Sequence, residues 1–447
     1  MHESAILTLA LLVLVYGLLS RRLGEGLVTP PLAFVGFGML LAPQALHVVG
    51  LPSPFDHADG LETHAEGLET AIHWLGELTL IIVLFADATQ IDLRALKRGA
   101  GLPLRLLALG MPLTVALGAA AAAPLVPGLG PWELALLGAV LAPTDAALGQ
   151  TVVTSPKVPL PVRQGLSAES GLNDGIAVPL VVIFASLAGI GQVIGGEERT
   201  TRECVEFAIG QVTLGPLVGW VVGAAATWAL GWAIREHAMD HAYHELAGIA
   251  IALIAFNAAG LVGGNGFIAA FVAGLVLGAS KTPEICRRLY DFAEAESQLL
   301  MLLTFFLVGL GLAWPTLLEA PLSAWIYALL SLTVLRMLPV ALALARSGES
   351  TRTVLFVAWF GPRGLASILF GILILEELHV PNAEQIVQVV LLTVLLSVVA
   401  HGVTAAPLTR LYARGLSTEE RAAADAAMDA MLERPGQDPV RKRALTG

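Results

Sequence analysis

Three short polar stretches interrupt long apolar runs, and each carries residue types suited to handling ions. The first, Leu141-Ala142-Pro143-Thr144-Asp145, sets a proline before a hydroxyl and a carboxylate. Proline lacks a backbone donor and frees a carbonyl one turn earlier, so a helix loosens there and offers main-chain oxygens to a cation. The same geometry suits Asp145 to capping the half-helix that follows. The second stretch is Glu169-Ser170-Gly171-Leu172-Asn173-Asp174-Gly175. Glu169 and Asn173 are i,i+4 neighbours, as are Ser170 and Asp174, so two polar stripes run side by side along one otherwise apolar helix. A carboxylate buried at such a position holds a proton or a metal ion, but not both at once. The third, Gly361-Pro362-Arg363-Gly364, places two glycines and a proline in mid-run and predicts a second broken helix.

Other ionisable residues inside apolar runs are few. Arg336 needs a partner, and Glu169 is the candidate; snorkelling to the helix end, about ten residues off, is the alternative. Asp87, in Leu84-Phe85-Ala86-Asp87-Ala88-Thr89, lies near a helix end, where it either lines an access path or is simply solvated. His57, His64 and His73 form one polar group, and His237, His241 and His244 another. Their spacing permits a metal or a pH-responsive face, and a solvated loop explains them equally. Two intramembrane aspartates, Asp145 and Asp174, superficially fit an intramembrane aspartyl protease. The Gly-x-Gly-Asp signature expected around one of them is missing, so no enzyme is expected.

The elements that position these residues follow from composition. Of 447 residues, 56% are apolar and only 14% charged, against roughly 25% charged in soluble domains. Apolar blocks fall near 4–20, 27–45, 74–91, 102–124, 132–153, 160–188, 205–234, 244–261, 265–280, 292–313, 321–346, 353–375 and 385–411. Each is long enough to cross a hydrocarbon core of roughly 30 Å as a helix. The fold expected is an all-α integral membrane protein of about 13 transmembrane helices, with spans 5 and 12 broken. Those two spans run in opposite directions, and paired interruptions in the two halves of a chain point to an inverted repeat with its site between them. Arg363 would then offset the helix ends that meet at the crossing.

Lys and Arg alternate between rich and poor connections along this count. That places the N-terminus outside and the C-terminus in the cytoplasm of a plasma membrane. The first block runs through Arg21 and Arg22 into the second without a cleavage site, and reads as a retained helix. Residues 1–411 form a single membrane domain, and 412–447 a short cytoplasmic tail. In the loop 52–73, Gly-Leu-Glu-Thr recurs at 60–63 and 67–70, which suits a short amphipathic surface helix. Cys204 and Cys286 fall on opposite sides and cannot pair. The net charge of −11 lies mostly in one external loop and the tail, so it implies no nucleic-acid partner.

Pro143-Thr144-Asp145, Glu169-Ser170-x-x-Asn173-Asp174, Arg336 and Gly361-Pro362-Arg363-Gly364, in this order, resemble the monovalent cation:proton antiporter-1 family, the bacterial Na⁺/H⁺ antiporters of the NhaP type. The resemblance implies that Asp174 carries either Na⁺ (or Li⁺) or H⁺, with oxygens from Ser170, Thr144 and Asp145. It implies a supporting Glu169–Arg336 ion pair, and Asn173 where electrogenic relatives hold a second Asp, hence one-for-one exchange. It further implies a homodimer in a bacterial inner membrane, with core spans at about 102–188 and 321–411, the remaining spans as scaffold, and no cofactor beyond the transported ions. Ala86 and Asp87 stand where the family often carries Glu. A K⁺/H⁺ antiporter, or a Na⁺-coupled organic-anion symporter using Arg363, is the alternative.

Overall fold

A computed structural model describes residues 14, 16–18, 29–42, 45, 62–90, 101–145, 148–155, 157–190, 193–194, 197–198, 200–279, 298–376 and 380–416. In chain order its helices are α1 (Pro30–Leu41), α2 (Glu62–Gln90), α3 (Gly101–Leu125), α4 (Pro131–Val140), α5 (Gln150–Val153), α6 (Leu160–Ala188), α7 (Thr201–Arg235), α8 (His241–Leu261), α9 (Gly266–Gly278), α10 (Gln298–Glu319), α11 (Leu322–Ala343), α12 (Thr351–Trp359), α13 (Leu365–Glu376) and α14 (Ala383–Gly415). Apart from a two-residue antiparallel ribbon pairing Val193–Ile194 with Glu197–Glu198, the described residues are helical or connecting. The helix α6 coincides with the predicted 160–188.

Spans 5 and 12 are each broken. α4 ends at Val140 and leaves Leu141 to Asp145 outside any helix; α12 ends at Trp359, and α13 begins only at Leu365. Both breaks fall on the proline-bearing stretches, where the missing N–H and ring clash weaken the helix, although Pro179, Pro216 and Pro407 are accommodated inside α6, α7 and α14. Among the described residues six helices are long and apolar enough to cross a membrane, and the shorter apolar ones include α4 and α13.

One interruption has no proline or glycine. Within α11 the helix breaks at Thr333 (φ −112°, ψ −95°), whose Oγ1 donates to Leu329 O at 2.6 Å, and then resumes at Val334. Another difference concerns the loop repeat. Residues 62–73 belong to the single 29-residue helix α2 rather than to a separate surface helix. The run from Glu62 to Trp74 holds no proline to end the helix. Gly60 and Leu61, Cys286, the side chains of His57, His64, His73, His241 and His244, and the tail beyond Leu416 lie outside the described residues.

Helices α3 to α6 pack with α11 to α14, whereas α9 is flanked by α2, α7 and α8. The α7–α9 contact is backbone-close. Gly215, Gly219 and Gly223, one turn apart, face Asn265, Ala269 and Ala273, and a Cβ on any of the glycines would collide with α9. Small residues at this spacing are how helices approach closely in lipid, where no hydrophobic drive draws them together. Where α6 meets α9, the Phe271 ring covers Gly175 so tightly that a Cβ there would overlap it.

Candidate functional site

The two breaks cross and are tied directly. The Asp145 N–H donates to Pro362 O at 2.9 Å. The Asp145 carboxylate accepts from the N–H of Leu365 (2.8 Å), the first residue of α13, and from that of Leu148 (3.4 Å). From the other segment, Arg363 Nη1 donates to the carbonyls of Ala142 (2.7 Å) and Pro143 (3.0 Å), just past the end of α4. Each break thus supplies the counter-charge for the other: an anion at the positive N-terminus of α13, a cation at the negative C-terminus of α4. Arg363 is fully buried, at 0% exposed.

Both glycines of the third motif have steric reasons. A Cβ on Gly364 would overlap the Asp145 carboxylate, and one on Gly361 would overlap the Arg336 guanidinium. Arg336, three residues beyond the Thr333 break, meets Glu169 in a two-pronged ion pair, Nη1 to Oε1 at 2.6 Å and Nη2 to Oε2 at 2.9 Å. Both side chains are buried. A buried guanidinium facing a carboxylate in this forked geometry is the arrangement in which desolvation is best offset.

The polar stripes of α6 hold the first break. Ser170 Oγ donates to Thr144 O, and Asn173 Nδ2 donates to Thr144 Oγ1 at 2.7 Å. A small recess is lined by Thr144, Asp145, Gly149, Val152, Ser170 and Pro362, among others, and Ser170 stands one helical turn before Asp174. Asp174 itself is 6% exposed, and its Oδ1 has no hydrogen-bond partner; neither has Oδ1 of the adjacent Asn173. Two acceptors on successive residues are thus left without protein donors, a chemistry that suits a cation or a proton. Asp87 and Asp145 both lie within electrostatic reach of Asp174, and Asp87 is half-buried.

The structure therefore gathers Thr144, Asp145, Glu169, Ser170, Asn173, Asp174, Arg336 and Arg363 around one crossing. Asp87 stands beside them at the level of charge. Four residues absent from the sequence reading belong to the same neighbourhood. Tyr327 Oη donates to Gly118 O at 3.2 Å inside the helix packing, Phe271 closes over Gly175, and Ser397 and His401 contact the second break. The signal for the last two was a histidine deep in an apolar run, one turn from a serine. Among the described residues no three His, Cys, Asp or Glu converge as metal ligands.

Two interrupted helices crossing beside a buried carboxylate whose Oδ1 has no donor are the arrangement of the inverted-repeat transporter fold. The chain belongs to the sodium/hydrogen exchanger transmembrane family, whose family model matches residues 7–411. That membership removes the protease reading.

Among relatives, the chain is 29% identical over 277 residues to a Na⁺/H⁺ antiporter 2 from Zygosaccharomyces rouxii, covering 58% of this chain and 33% of that protein. It is 25% identical over 407 residues to a K⁺/H⁺ antiporter NhaP from Alkalimonas amylolytica, covering 90% of this chain and 65% of the other. The chain thus spans about a third of the first relative and just under two thirds of the second. In fold it is similar to the sodium proton antiporter MjNhaP1 from Methanocaldococcus jannaschii, with TM-score 0.70, 20% identity, and coverage of 92% of this chain and 99% of that one.

Proposed function

We propose that the chain is a secondary active antiporter that exchanges one monovalent cation, Na⁺ with Li⁺ as a second substrate, for one H⁺ by alternating access. The observation that carries this reading is the buried Asp174 Oδ1 without a donor, one helical turn from Ser170, which lines a recess with Thr144. On one side of the membrane Asp174 loses its proton as a cation binds its carboxylate; on the other side the reverse occurs. Thr144 and Ser170 supply further oxygens. Asp145, whose carboxylate already accepts two backbone N–H groups, acts chiefly by holding α13 in place and only secondarily as a ligand. The loaded site is neutral, so carrying it past a low-dielectric barrier costs little, whereas an empty carboxylate carries its charge with it.

In this reading the helices α3–α6 and α11–α14 form the mobile core, and the glycine-packed group around α9 the fixed scaffold, within one membrane domain. Two copies pair through the scaffold, for which exposed Trp220 and Trp228 of α7 supply apolar surface. The chain sits in a bacterial inner membrane with its N-terminus outside, a placement supported by the alternation of basic connections.

The test is dissipation of a pH gradient in vesicles on adding each alkali ion. Na⁺-driven dissipation that disappears in Asp174→Asn is expected; a gradient indifferent to every alkali ion refutes the reading. The relative from Alkalimonas favours K⁺ as a second reading, so the K⁺ arm decides between them. An organic-anion symporter would have to use Nε and Nη2 of the wholly buried Arg363, which have no hydrogen-bond partner while Nη1 holds two carbonyls, and exchange driven by Na⁺ without any organic anion argues against it.

A further inference from the structure

Helix α14 is fastened to both broken spans at three levels. At its start, Asn382 donates from its N–H (3.0 Å) and its side-chain amide (2.9 Å) to Glu133 of α4. Near its end, Tyr412 Oη lies 3.0 Å from Thr353 Oγ1 of α12, and Arg352 Nη1 donates to Gly415 O. Between them, Ser397 and His401 reach the second break. Ser397 Oγ accepts from the main-chain N–H of Arg363 at 2.7 Å and lies 3.1 Å from His401 Nδ1, while His401 Nε2 lies 3.0 Å from Trp359 O.

His401 Nδ1 also lies 3.0 Å from the main-chain carbonyl of Ser397. Each ring nitrogen thus faces a carbonyl oxygen, Nε2 that of Trp359 and Nδ1 that of Ser397, and Nδ1 is also within reach of the Ser397 hydroxyl, whose oxygen accepts from the Arg363 N–H. Trp359 is the last residue of α12, and Arg363 stands two residues before α13 begins at Leu365. The serine and histidine therefore bridge the break on both sides, where the missing helix leaves backbone groups to be satisfied.

We propose that Ser397 and His401 are positioning residues for the cation site, although neither touches the ion. They fix the path from Trp359 to Arg363. Arg363 Nη1 in turn holds the carbonyls of Ala142 and Pro143, and these set Thr144 against Ser170 and Asn173. A continuous hydrogen-bonded path thus runs from α14 to α6 through both breaks. The inference rests on the exchange reading above.

The experiment compares the full chain, reconstituted in liposomes, with Ser397→Ala, Ser397→Thr, His401→Gln and His401→Leu. Losing one buried hydrogen bond that orients a ligand should raise the apparent KM for Na⁺ about tenfold in Ser397→Ala and His401→Leu. The maximal rate should change by less than about twofold, since chemistry and barrier are untouched. Ser397→Thr keeps the hydroxyl and should restore the native KM. His401→Gln keeps a donor for Trp359 O and should fall between. Because both residues act along one path, Ser397→Ala combined with His401→Leu should be no worse than either alone.

A merely structural role would lower the amount of folded protein and leave KM alone; that result, or failure of Ser397→Thr to rescue, overturns the proposal. Should Ser397→Ala not fold, the two His401 variants decide by the same criterion. Na⁺-dependent displacement of the thermal unfolding midpoint in detergent reads binding without transport. If the native chain shows neither exchange nor that displacement, the exchange reading fails; if it shows both and the variants match it, only the positioning inference fails.

Discussion

Replacing Asn173 by aspartate tests the charge arithmetic of the crossing. In the proposed exchange Glu169 is balanced by Arg336, Asp145 and Arg363 each face a helix end at the crossing, and Asp174 is the carboxylate that changes charge with its cargo. One cation or one proton then neutralises it equally, and a full cycle moves no net charge. Asn173 donates to Thr144 Oγ1 at 2.7 Å, and its Oδ1 is buried without a partner. Aspartate of nearly the same shape turns the donor into an acceptor, so the Thr144 hydroxyl must rotate to donate, and a second titrating carboxyl appears beside the first. Two protons then balance one Na⁺, and one charge crosses per cycle. Moving one charge through 100 mV is about 2.3 kcal/mol, which is roughly a 50-fold change in the Na⁺ ratio the exchanger sustains. In liposomes clamped with a K⁺ diffusion potential, Asn173→Asp should shift its null-point Na⁺ ratio by about that factor per 100 mV, while the native chain should not respond. Currents of equal size from both proteins, or a voltage-dependent null point in the native one, would refute the arithmetic.

Asp174→Asn should abolish exchange and leave the thermal unfolding midpoint within a few degrees of native; retained transport in that variant sinks the site assignment. Because a proton and a cation compete for one carboxylate, the apparent KM for Na⁺ should fall about tenfold per unit rise in pH on the acid side of the activity range; a flat profile argues for separate sites. Glu169→Gln leaves the Arg336 guanidinium buried without its anion and should destabilise by about 3–5 kcal/mol, with Glu169→Gln combined with Arg336→Gln recovering part of the loss in chemical denaturation. Gly364→Ala should displace the Asp145 carboxylate from the α13 N–H and reduce transport at least as far as Asp145→Ala does. An unaffected Gly364→Ala would show that the capping contact is dispensable.

What could be read in advance depended on whether the cause was local. The breaks of spans 5 and 12 were legible because proline stands there beside polar residues or glycines in mid-run; proline alone is not enough, since Pro179, Pro216 and Pro407 lie inside the continuous helices α6, α7 and α14. The Glu169–Arg336 pairing was legible because a cation deep in an apolar run needs an anion and few were on offer. The break at Thr333 was not legible. Leu330-Ser331-Leu332-Thr333-Val334-Leu335 contains no residue that breaks helices, and Arg336 just beyond it has to meet both Glu169 and Gly361. Ser397 and His401 escaped notice for a similar reason, since their partners lie about 35 to 40 positions away on another segment. Nor does sequence say that Gly175 is small to admit Phe271 from a helix about a hundred residues further on. The expectation of a separate surface helix in the loop 52–73 failed through continuity, because no proline between Glu62 and Gln90 separates the seven-residue repeat from span 3 and one helix runs through both.

The exchange of counter-charges between Asp145 and Arg363 bears on biosynthesis. While the ribosome is still producing the middle of the chain, the opened backbone after α4 has no guanidinium to face, because residue 363 emerges more than two hundred positions later. Bare carbonyls cannot rest against acyl chains. The first half must therefore wait in a hydrated or chaperoned state at the translocon, and final closure comes only when the late segment inserts. Each half is, in this sense, the missing piece of the other's polar interior.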